Sequence, residues 1–109
     1  MKLPVVASPG AKKDIIELRA YFSEISLELN YRFRRMLKLT YEELSRMPTL
    51  GSLRFFRSPE MQNVRTWSVK NFRNYILFYR VEEKRVIILR VLHAAMNYEE
   101  MFNREDETE

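Results

Sequence analysis

The 109 residues predict one α+β domain in which a helix hairpin packs on an antiparallel β-sheet. Three observations predict it. Apolar residues recur every three or four positions through residues 15–44. Short runs rich in Ile, Val, Phe and Tyr crowd residues 64–92. A separate apolar run opens the chain at residues 3–7.

The opening run, Leu3 to Ala7, is short and β-rich, so it reads as a strand. Ser8-Pro9 supplies a hydroxyl N-cap followed by proline at the first helical position. Ile15, Leu18, Phe22, Ile25 and Leu29 then form one apolar stripe, and Asn30 is expected to break the helix. A second helix carries Phe33, Leu37, Tyr41 and Leu44, with most of its charge off that stripe. So short a connection folds the two helices back as a hairpin. Pro48 and Gly51 end the second helix. Residues 52–63 read as irregular. Residues 64–70 form a strand with Arg65, Trp67 and Val69 on one side, 71–74 a turn, and 75–81 and 85–92 two strands joined at 82–84. Residues 98–104 form a short final helix or an extended tail. The three consecutive strands make a meander, and the first strand joins their sheet to bury its apolar side chains.

Hydrophobic content of 46% beside 31% charge suits a folded soluble domain and argues against disorder. No apolar run reaches the roughly 20 residues that span a bilayer, and the N-terminus is too short in apolar residues for a signal peptide. The chain has no cysteine, so disulfide and zinc-thiolate sites are excluded and a cytoplasmic location is compatible. Residues 104–109 set one arginine against four carboxylates, −3 in all, so residues 1–103 carry +7 of the net +4. Residues 1–103 are read as one domain and 104–109 as an acidic, solvated tail. A basic body suits a nucleic-acid or acidic-protein partner, or simply a solvated surface.

Eight residues stand out as candidates for binding. Arg54 and Arg57 bracket Phe55 and Phe56, either as a contact patch or with the rings plugging the open end of the sheet. Lys70 and Arg73 flank a turn, where they bind phosphate or stay solvated. Trp67 is either core or a recognition aromatic. Arg80 and Arg90 sit in apolar strands. Arg90 needs a carboxylate if it faces the core, and otherwise faces an edge or groove where an acidic partner pairs with it. His93, the only histidine, is either a general acid or base or a hydrogen-bonded residue closing the strand end. No carboxylate or second histidine is near it in sequence, so no metal is expected.

The order of elements and several strings resemble the RelE/ParE superfamily of toxins from bacterial type II toxin–antitoxin modules, and within it the ParE branch. The strings are Ala11 and Asp14 at the start of the first helix, the Pro48–Gly51 turn, NYILFYRV at 74–81 and IILRVLH at 87–93. The resemblance covers roughly residues 3–102. It implies a ParD-like antitoxin whose disordered tail folds over the helix hairpin and sheet, and DNA gyrase as the target. RelE-like members instead cut messenger RNA. There one phosphate-binding arginine precedes the strand tyrosine by three residues, and another lies three residues beyond the valine of the last strand. Those positions here are Ile76 and Ala94. An isoleucine cannot offset charge on a phosphorane, and losing one such donor typically costs about 10²–10³ in rate. Ile76 and the Ala94–Asn97 stretch also depart from the usual ParE strings NYRIFYR and GARD. The resemblance therefore implies a non-enzymatic toxin without catalytic residues, cofactor or metal. A messenger-RNA endoribonuclease, or a degenerate toxin keeping only antitoxin binding, are the alternatives.

Overall fold

The computed structural model describes residues 2–103; the acidic 104–109 segment lies outside them. The elements run β1 (Val5–Ala7), α1 (Pro9–Ile25), α2 (Leu27–Arg46), β2 (Ser52–Arg54), a 3₁₀ turn (Pro59–Met61), β3 (Val64–Val69), β4 (Phe72–Val81), β5 (Val86–His93) and α3 (Tyr98–Asn103). The five strands form one sheet in the order β1-β5-β4-β3-β2. β1 pairs parallel with β5 and the remaining pairs are antiparallel, so the sheet is mixed. The parallel pair follows from the hairpin: α1 and α2 together return the chain to the same end of the sheet, and the meander then reaches β5 in the direction of β1.

Three local expectations are corrected. The helix break falls at Ser26, which places Leu29 and Asn30 inside α2. Ser26 is extended (φ −165°, ψ 146°). Its N–H donates to Phe22 O and closes α1, while its Oγ accepts from Leu29 N and caps α2. Residues 52–63 are not wholly irregular, because Ser52–Arg54 pairs with β3 and covers its outer edge. The β3–β4 turn is at Lys70–Asn71 rather than 71–74, and β4 starts at Phe72. Asn71 takes φ 63°, a conformation its short polar side chain tolerates.

The sheet buries both faces. Under the hairpin lie Ala11, Phe22, Phe33, Leu37, Leu44, Val69, Leu77, Tyr79, Ile88 and Val91. Arg65 and Trp67 register with Tyr79 and Leu77 on this face, as the alternation predicts. On the opposite face Phe56, Phe78, Tyr98 and Phe102 form an aromatic cluster with centroids 5.1–6.5 Å apart. α3 therefore closes the second face, and of the two rings between Arg54 and Arg57 only Phe56 is buried, while Phe55 stands 88% exposed.

Candidate functional site

Most of the strand cations turn out to be internal clamps. Arg90 Nε and Nη2 donate to Asp14 Oδ2 and Oδ1 at 2.7 and 3.1 Å, and Val91 N donates to the same Oδ2 at 3.0 Å. β1 stops at Ala7, so β5 runs on past it with an open edge. α1 lies against that edge, Asp14 satisfies its amide, and Ser8 Oγ donates to Leu89 O at 3.0 Å. The carboxylate hydrogen bonds push the Arg90 guanidinium further up from its usual value, against the opposing effect of burial. The expectation that Arg90 awaits an acidic partner is thereby corrected: its carboxylate is Asp14, 76 positions away.

Arg80 donates to Gln62 O and Glu60 O at 3.0 and 2.7 Å and so holds the 3₁₀ turn against β4. Arg54 pairs with Glu99 at 2.7 Å and sits 5.4 and 5.5 Å from the Phe56 and Tyr98 ring centres, tying β2 to α3. Arg57 is held nearby, its backbone N–H donating to Asn103 Oδ1. His93 Nδ1 accepts from Ala95 N at 2.9 Å, and its ring meets Tyr75 edge-on at 4.9 Å. This matches a residue closing the strand end.

The strand tyrosine is also structural. Tyr79 is fully buried; its hydroxyl donates to Pro48 O at 2.6 Å and accepts from Gly51 N at 2.8 Å. Arg65 Nη1 adds a bond to Gly51 O at 2.7 Å. Burial raises the phenol's pKa, and the Gly51 N–H and nearby Arg65 only partly counter it. Such a hydroxyl does not reach a substrate. Ile76 packs beside the aromatic cluster on the opposite face, opposite Leu92 of β5.

The structure brings a different group of predicted residues together. The Lys70–Asn71 turn docks on the middle of α2: Lys70 N donates to Thr40 Oγ1 at 2.9 Å, and Asn71 Nδ2 approaches Met36 Sδ at 3.3 Å. Trp67 Nε1 lies 3.5 Å from Glu43 Oε1, and Lys70 Nζ is 3.9 Å from the other Glu43 oxygen. Glu43, Trp67, Lys70, Asn71 and Arg73 line an open hollow of about 310 Å³. Among the described residues, Arg73 has no ion-pair partner. The reading of single strings missed Glu43 and Glu99 as partners of these residues. The only signal for them was that a half-buried cation or indole N–H needs an acceptor somewhere.

Residues 5–98 match the family described as the ParE toxin of type II toxin-antitoxin system, parDE. The chain belongs to the ParE toxin family. A solved structure titled "Chromosomal ParDE TA system from P. aeruginosa" has the ParE-like fold seen here, with a TM-score of 0.66 at 18% identity over 84% of this chain and 96% of that one. No curated protein matches. Within the ParE fold of this chain, no helix among the described residues is long and apolar enough to cross a membrane.

Proposed function

We propose that this ParE-family chain is a cytoplasmic, non-enzymatic toxin that inhibits DNA gyrase and is neutralised by a ParD-like antitoxin. The observation that carries the reading is the lack of arginine at the two positions where messenger-RNA cleavage would need phosphate binding, beside a strand tyrosine tied into the fold. Ile76 and Ala94 stand at the two phosphate-binding positions, and the strand tyrosine, Tyr79, has its hydroxyl committed to Pro48 and Gly51. A toxin that does not cleave its target must act by binding it.

The antitoxin reading draws support from the hairpin. Tyr21, Ile25, Leu27 and Tyr31 are each more than half exposed around the α1–α2 apex. The outer groove between the helices, about 320 Å³, is lined by Ile16, Arg19, Ala20, Ser23 and Asn30. Apolar side chains around a groove with a cation suit an amphipathic, acidic segment that folds on binding. The test is a supercoiling assay with purified gyrase. Toxin-dependent loss of supercoiling, or trapped cleaved DNA, is the expected result. Unaffected gyrase with cleaved messenger RNA would establish the endoribonuclease instead. Inert gyrase and intact RNA beside tight antitoxin binding would mark a degenerate toxin.

A further inference from the structure

We propose that the flank of α2 and the adjoining β3–β4 turn form a docking face for the phosphate backbone of duplex DNA, with Arg32, Arg35, Lys70 and Arg73 as its contacts. This goes beyond the choice of protein target and does not depend on it.

The face is assembled by two bonds already described. Thr40, fully buried, donates to Met36 O at 2.7 Å and receives Lys70 N, which pins the turn to α2. Arg32 lies one helical turn before Met36, and Arg35 follows it at i,i+3 on the solvent side. Both are exposed, as is Arg73 across the turn, and none of the three has an ion-pair partner among the described residues. Lys70 has only the loose 3.9 Å approach to Glu43 and keeps half its side chain in solvent. The contrast with Arg54, Arg80 and Arg90 is chemical. Those cations are satisfied by carbonyls or carboxylates of this chain, whereas these are presented outward with their donors unused.

The chemistry of the face selects the partner. A docked peptide needs aromatic and apolar anchors at the centre of its contact. Of the large exposed apolar residues, only Tyr31 adjoins these cations, one helical turn before Arg35, and a single ring does not make such a centre. Glu28, Glu42 and Glu43 share this flank, but none forms a close ion pair with the four cations, whose free donors fit a polyanion of regular charge spacing. The duplex form is favoured over a single strand, because strands are held by stacking on exposed aromatics in a basic groove. Trp67 is half-buried against the core beside Glu43, which leaves Tyr31 as a single exposed ring next to these cations and no row of rings on which successive bases could stack.

The test is fluorescence anisotropy of the full-length chain with a labelled duplex of about 20 base pairs, titrated between 50 and 200 mM salt. Four phosphate contacts predict a log–log slope near −3.6, hence roughly a hundredfold weaker binding across that range. Arg32→Gln/Arg73→Gln should reduce the slope by about 1.8, at about 0.9 for each contact removed. Arg32→Lys/Arg73→Lys, which keeps the charges, should leave it nearly unchanged and so separates charge from folding. Lys12→Gln/Lys13→Gln, two exposed cations at the start of α1, should also leave it unchanged. Failure to bind duplex at 50 mM salt would overturn the proposal. So would tighter binding of a single strand of the same length, or an equal loss in the Lys12/Lys13 control.

Discussion

At the scale of single residues, the Pro48–Gly51 turn is the most tightly specified point in the molecule. A Cβ on Gly51 would sit 2.6 Å from Thr66 O and 2.7 Å from the Tyr79 hydroxyl, with backbone on one side and a fully buried ring on the other. Neither can retreat, so Gly51→Ala is expected to destabilise the chain by about 2–3 kcal/mol, read as a lower urea midpoint. Tyr79→Phe leaves Pro48 O without its donor and Gly51 N without its acceptor. A loss of about 1–3 kcal/mol is expected, and an unchanged midpoint would show that water replaces the hydroxyl. Asp14→Ala removes the partner of Arg90 and the acceptor of Val91 N together. Arg90 is one-third exposed, so its share is screened and the expected cost is about 1–3 kcal/mol. Asp14 and Gly51 are both visible as family positions, but nothing in their own strings shows that one holds an arginine and the other faces a phenol.

At the scale of elements, periodicity identified both helices and four of the five strands. It missed where one helix ends and the next begins, because the apolar stripe continues from Phe22 through Leu29 while the backbone turns at Ser26. The information lies in one serine whose backbone closes α1 and whose hydroxyl opens α2. Ser26→Ala should cost about 1 kcal/mol, visible as a lower thermal midpoint, while Ser26→Asp retains the cap. β2 was missed for another reason: three residues have too little alternation to read, and Ser52–Arg54 is a strand only because β3 offers it an edge. β5 shows the same dependence. Its end beyond β1 would be an open edge, and Ser8 and Asp14 of the α1 N-terminus supply what a neighbouring strand would have supplied.

At the scale of the whole molecule, two consequences concern conditions rather than positions. Desolvation pushes the Tyr41 phenol up to about 12 and raises Tyr75 and Tyr79 in the same direction. The unfolded chain releases these protons near the usual 10 while the folded chain holds them. Unfolding is therefore favoured progressively as pH rises from about 10 towards 12, and stability below 10 is unaffected by them. Alkaline denaturation followed by circular dichroism should show this fall, and Tyr41→Phe should make it shallower. The second consequence is the +7 of residues 1–103, which should make association with an acidic antitoxin faster at low salt; a salt-independent rate would contradict it. The sequence by itself determined the order of elements apart from β2, the membership of the family and the surplus of positive charge, because each depends on local pattern or on composition. Only the tertiary structure decided which cations are spent inside the molecule. Arg54, Arg80 and Arg90 find their acceptors 45, 18–20 and 76 positions away, whereas Arg32, Arg35 and Arg73 find none among the described residues. A guanidinium reads the same in either setting, and its meaning is set by the oxygen that folding brings within hydrogen-bonding reach.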